Sequence, residues 1–161
     1  MPITRMNHAV FYARSAHRCA RFYEDVLGFT EVIHDDDDRW SFLRAPASDN
    51  HHDVVFFSVG ALAPSEAGRR TTGLYHIAWE VPTLAELDAL RVKLESAGAL
   101  EGSSDHGPNK SLYARDPDGN EFEVMWLTPR SSWGAEEHEA IVRRLDLPAE
   151  MARFGADTVG R

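Results

Sequence analysis

Two histidines, His8 and His76, and one glutamate, Glu123, have the residue types and spacing in this 161-residue chain to do metal chemistry. His8 lies in "TRMNHAVFY" and His76 in "GLYHIAWEV", segments that alternate as strands do. Glu123 sits in "NEFEVMW", a strand otherwise very apolar. Alternation places Glu121, Glu123 and Met125 on one face, and Phe122, Val124 and Trp126 on the other. A carboxylate facing an enclosed interior is costly unless it is paired or bound to a metal. Two imidazoles and one carboxylate from three strands are the ligand set of non-haem Fe(II) oxygenases, which covers one face of an octahedron and leaves three positions open. A Glu123 facing solvent from an edge strand fits the same pattern, and residue types alone leave both readings open.

The elements that must position these residues come in a repeated order. A strand over 4–12 is followed by a helix that Ser15 caps, with apolar residues at 19, 22, 23, 26 and 27 and a stop at Gly28. Strands follow near 29–34, 39–44 and 53–59, with the "DDDD" of 35–38 as a solvated hairpin tip. The order then recurs: a strand over 73–81, a helix over 83–97 with Leu84, Leu87, Leu90 and Leu94 in a stripe, and Gly98 as its stop. Strands near 99–104, 110–115 and 120–127 complete it, the last two joined by the turn signal "DPDG". His8 matches His76 at an offset of 68 and Gly28 matches Gly98 at 70, which marks an internal duplication. The pattern predicts an α+β domain over 1–130, with βαβββ modules at 1–60 and 73–130 and a linker at 61–72. A C-terminal helical extension is expected over 131–161, with one helix at 135–145 and a second, shorter one after it.

Composition narrows the function. A formal charge of −9, with basic residues scattered in short pairs such as Arg69–Arg70, excludes a nucleic-acid partner. The single Cys19 forms neither an internal disulfide nor a zinc-type cluster. Without an N-terminal apolar segment or a long apolar run, neither export nor membrane spanning is expected, and the expected location is cytoplasmic.

"FYEDVLGF" (22–29), "GLYHIAWEV" (73–81) and "LYARDPDGNEFEV" (112–124) resemble the vicinal oxygen chelate superfamily, over roughly residues 4–128. The resemblance implies two βαβββ modules forming an open mixed-sheet barrel around a divalent metal, with His8, His76 and Glu123 as its ligands. Within that superfamily the likeness is greatest to single-domain type I extradiol dioxygenases. "NHHDVVFF" (50–57) resembles the segment that carries their acid/base histidine, which implies His52 for that role with His51 as its neighbour. Tyr113, ten residues before Glu123, has the spacing of their active-site tyrosine; an ordinary strand aromatic fits the position too. Their two-domain members carry a further histidine where this chain has Ser104; His106, in "DHG" two residues later, is the candidate to serve from the loop. Lys110 is either a contact for an anionic substrate or a solvated lysine.

The resemblance thus implies Fe(II), with Mn(II) as the other candidate ion, a catecholic substrate, O2 and a homodimer. Two other functions belong to the same fold. A glyoxalase- or epimerase-type isomerase or lyase would add a fourth ligand from the last strand of the first module, where Asp53 is the only acidic residue. Metal-free drug-binding relatives have usually lost the ligand set, and this chain keeps all three members.

Overall fold

The computed structural model describes residues 2–67 and 71–160. The centre of the expected linker, with the Arg69–Arg70 pair, lies outside the described residues. The chain divides into two compact units, Met1–Ser65 and Glu66–Arg161.

The first unit holds β1 (Ala9–Ala13), α1 (Ala16–Leu27), β2 (Thr30–His34), β3 (Trp40–Arg44) and β4 (Val54–Ser58), with the strands in the order β1-β4-β3-β2. β1 runs parallel to β4 and the other neighbours are antiparallel. The Ser15 side chain accepts from the Arg18 N–H at 3.2 Å, and Gly28, at φ 77, closes α1 in the left-handed region glycine tolerates best. α1 buries Ala16, Cys19, Ala20, Tyr23 and Val26. Tyr23 meets Phe29 and Phe56 edge-on, at centroid distances of 5.2 and 5.1 Å. The acidic tip is a turn, as expected: Asp35 holds Arg39, while an Asp38 oxygen accepts from the His17 N–H at 2.7 Å.

β1 starts later than the expected strand over 4–12. The Ala9 N–H donates to the Asp53 carbonyl, and the pairing begins at Ala9 with Val54. Before Asp53 the partner is an irregular loop that meets 4–8 through the side chains of Asp49 and Asn50, so among the described residues 4–8 pair with no strand, and His8 sits just ahead of the sheet.

The second unit repeats the order with β5 (His76–Glu80), α2 (Leu84–Ser96), β6 (Leu100–Asp105), β7 (Asn109–Arg115) and β8 (Glu121–Leu127), arranged β5-β8-β7-β6. Thr83 caps α2 by accepting from the Glu86 N–H at 3.2 Å. Leu84, Leu87 and Leu94 are buried, as are Phe122, Val124 and Trp126 on β8, the face the alternation assigns to the core. Each large side chain among them contributes about 1.5–3 kcal/mol of transfer free energy.

The tail departs from expectation. Residues 135–145 are not an α-helix: 3₁₀ turns cover Arg130–Ser132 and Gly134–His138, and the chain then runs extended to α3 (Leu147–Phe154). Its extended part pairs with β6 through a bridge between Asp105 and Arg143. β6 is a sheet edge whose free backbone groups bond a strand-like segment more readily than a helix. Among the described residues no helix is long and apolar enough to cross a membrane.

Candidate metal and diol site

In the second unit the candidate residues converge. β5 lies parallel to β8, with His76 opposite Glu121 and Ala78 opposite Glu123. His76 and Glu123 are therefore diagonal neighbours on one face, and His76 Nε2 stands 3.1 Å from Glu123 Oε2. Glu123 is only 6% exposed, and among the described residues it has no Lys or Arg partner. Its other oxygen has only a long contact, 3.4 Å, to the Asn109 amide. A buried carboxylate answered by one imidazole and one distant amide retains the negative charge that a divalent cation neutralises.

Tyr113 lies directly opposite Glu123 on β7, brought back by the Asp116–Gly119 turn that joins the two strands. Its hydroxyl is 2.8 Å from His106 Nε2. Burial, reinforced by the Glu123 charge, pushes the Tyr113 phenol up to about 12, so it keeps its proton in the neutral range. His106 Nδ1 lies 2.6 Å from the Ile141 carbonyl.

The first unit gathers the other expected residues. The rings of His8 and His52 are 4.5 Å apart, Phe42 packs edge-on against His52 at 4.9 Å, and His51 Nδ1 meets His52 Nδ1 at 3.0 Å. Burial holds the His52 imidazole below its ordinary range, and the neighbouring His8 and His51 reinforce this. His8 is exposed, with Nδ1 2.8 Å from Asn7 Oδ1. With Nδ1–H donated to that amide, the Nε2 lone pair is free for a ligand. Within neither unit do three His, Cys, Asp or Glu side chains gather where they can hold a metal, among the described residues.

Three acidic or basic residues have other partners. Asp53 accepts from the Ala45 N–H at 2.8 Å, the Ser48 hydroxyl at 2.8 Å and the Asn50 amide at 2.7 Å, organising the loop that carries His51 and His52. Glu121 is engaged by Arg115. Lys110 is neither a solvated lysine nor turned toward a substrate: it is 1% exposed and its ammonium faces Asp105 and, at 3.3 Å, Glu150. Burial by the C-terminal segment explains the difference.

Asn7, Asn109 and the Ile141 carbonyl were not anticipated. Asn109 sits on the strand opposite β8, a signal that cross-strand register supplies once β7 is bounded. A backbone carbonyl in an irregular segment leaves no sequence signal at all.

A family model described as Glyoxalase/Bleomycin resistance protein/Dioxygenase superfamily matches residues 5–124, and the chain belongs to that superfamily. It is 34% identical over 130 residues to a catechol-2,3-dioxygenase of Bacillus subtilis (strain 168), covering 81% of this chain and 44% of that protein. The chain therefore spans less than half the length of that relative. It is 32% identical over 132 residues to biphenyl-2,3-diol 1,2-dioxygenase 3 of Rhodococcus globerulus, covering 80% of this chain and 67% of the relative. Among solved structures, a glyoxylase/bleomycin resistance protein/dioxygenase domain from Frankia sp. EAN1pec superposes with a TM-score of 0.64 at 22% identity, over 78% of this chain and 99% of that one. That likeness is one of fold.

Proposed function

We propose that this chain is a metal-dependent extradiol dioxygenase that opens the ring of a catechol-like diol with O2. The observation that carries the proposal is the half-buried His76 Nε2 set 3.1 Å from the buried Glu123 Oε2, with Tyr113 on the adjoining strand. Identity of 34% and 32% to two diol dioxygenases supports the same class of substrate.

In this reading His8, His76 and Glu123 would hold Fe(II), or Mn(II), which when bound would supply the chemistry that activates the diol and O2. Tyr113, protonated, shares a hydrogen bond with a diol hydroxyl. His52, held neutral, is the base that takes a diol proton and later returns it. Both Asp53 oxygens are held by groups of its own loop, which favours this reading over an isomerase that would use it as a fourth ligand. A homodimer and a cytoplasmic location complete the proposal.

The test is to purify the protein anaerobically, load it with Fe(II) or Mn(II), and add a panel of catechols. O2 uptake with a yellow ring-fission product is expected. Inactivity across the panel, with turnover of a hemithioacetal or an epimerisable acid by a Ni(II) or Co(II) form, would overturn the proposal.

A further inference from the structure

The extended tail segment is fastened to the second unit at several independent points. Asp105 and Arg143 exchange backbone hydrogen bonds, each at 2.9 Å. Arg143 Nε also lies 3.2 Å from Asp105 Oδ2, and its Nη1 donates to Glu136 Oε1 at 3.0 Å. Beneath them the buried Lys110 ties Asp105 to Glu150 of α3. The tail also lies against Gly107, at φ +79: a Cβ there would meet Glu136 Oε2 at 2.8 Å and Ile141 Cδ1 at 3.2 Å. At this positive φ any other side chain is strained, and its Cβ would also press on the two tail side chains.

What the fastening delivers is the Ile141 carbonyl, 2.6 Å from His106 Nδ1. A carbonyl can only accept, so Nδ1 carries the hydrogen. In the neutral ring Nε2 is then bare, and at 2.8 Å from the Tyr113 hydroxyl it accepts. The single hydroxyl hydrogen of Tyr113 is committed to His106, so toward any further partner, the neighbouring Ser111 hydroxyl among them, its oxygen can only accept.

We propose that residues 139–143 are a positioning element: the Ile141 carbonyl selects the His106 tautomer and thereby fixes the Tyr113 hydroxyl as an acceptor. The tautomer follows from the hydrogen bonds alone, while its consequence for substrate rests on the dioxygenase reading. Under that reading Tyr113 receives a hydrogen bond from a diol hydroxyl that still bears its hydrogen, and an ether or a bare oxyanion at that place is disfavoured.

The test uses the full chain, metal-free and labelled with ¹⁵N-histidine, in long-range ¹H–¹⁵N correlation spectra at a pH where the imidazoles are neutral. His106 is expected to carry its hydrogen on Nδ1, both in the wild type and in Tyr113→Phe, because the carbonyl and not the phenol selects it. A hydrogen on Nε2 in either protein overturns the proposal. Arg143→Pro removes the tail's backbone donor and its ion pairs, and should give His106 a mixed pattern; an unchanged pattern overturns the role of the fastening. If Arg143→Pro does not fold, the wild-type and Tyr113→Phe spectra decide. With active enzyme, Arg143→Pro should lower kcat about 10-fold or more at unchanged KM and metal content, the size seen for outer hydrogen-bond partners; metal loss in step with activity overturns it. If no diol is turned over by the wild type, the dioxygenase reading fails while the spectra still judge the tail.

Discussion

The two units share strand order and register but not chemistry. Val10 pairs with Val55 in the first unit and Ala78 with Glu123 in the second, each residue 68 positions from its counterpart. The first-unit counterpart of Glu123 is thus Val55, which is 1% exposed. On the neighbouring strand Val55 faces Phe42, where Glu123 faces Tyr113. One βαβββ frame therefore carries an apolar Phe–Val pair and the other a Tyr–Glu pair. The histidine that opens each unit also differs: His76 is within its strand and meets a carboxylate, whereas His8 precedes its strand and meets an amide. The same frame thus occurs twice, and the carboxylate and phenol stand in one copy only.

The largest expected effects test that asymmetry. Glu123→Ala and His76→Ala should each abolish metal retention, with a dissociation constant weakened by more than about 100-fold, since outer partners alone cost 10–100-fold. Val55→Ala should leave metal binding intact and cost about 2 kcal/mol of stability, through lost apolar burial and a residual cavity. Metal analysis of dialysed protein beside denaturant melts reads both. A Glu123→Ala protein that keeps one metal per chain at wild-type affinity would remove Glu123 from the ligand set. Next in size, His52→Ala should keep the metal and slow turnover by roughly 10²–10⁴-fold, the range of an acid/base group. A drop in metal content matching the drop in rate would make His52 a ligand instead.

The units differ again in how they hold a cation. Lys110 of β7 corresponds to Arg39 ahead of β3, because Tyr113 corresponds to Phe42. Arg39 lies on the surface beside Asp35, whereas Lys110 is buried under the tail between Asp105 and Glu150. Lys110→Met should cost about 3 kcal/mol, because it removes the buried cation that Asp105 and Glu150 share. Arg39→Met should change denaturant midpoints little, as exposed pairs do. Equal midpoints for the two variants would show that the tail leaves Lys110 in water.

Strand alternation and a strong turn signal make the strand positions of His76 and Glu123 legible without reference to anything distant, whereas Tyr113 is singled out only by the resemblance. Both helices were legible for the same local reason: Ser15 and Thr83 cap them, and glycines follow them. The second, short tail helix is present as α3, but the one expected over 135–145 is not: Ile141, Val142 and Leu145 have helical spacing, while what decides their conformation is the open edge of β6, a partner more than 35 residues away. Lys110 followed the tail: whether a lysine is solvated depends on what covers it, and the covering segment was assigned the wrong shape. His8 was assigned to a strand that alternation alone permits, although no partner strand reaches it.

The smallest effect expected is in pH dependence, and here the units should respond at opposite ends. His52 of the metal-free protein titrates below its ordinary 6.5, since burial and the neighbouring His8 and His51 oppose its charge. Below pH 6.5 the unfolded chain takes up the proton first, so stability present above that value falls as pH drops toward the folded-state pKa. Tyr113 is raised from 10.0 to about 12, so its contribution is complete below pH 10 and is lost as pH climbs to about 12, where the unfolded phenol ionises first. His52→Gln should flatten the acid slope and leave the alkaline slope unchanged, and Tyr113→Phe should do the reverse. Denaturant midpoints measured across the pH range read both slopes. If one substitution moved both ends, the two halves would be coupled in titration, and the assignment of one group to each unit's pH response would fail.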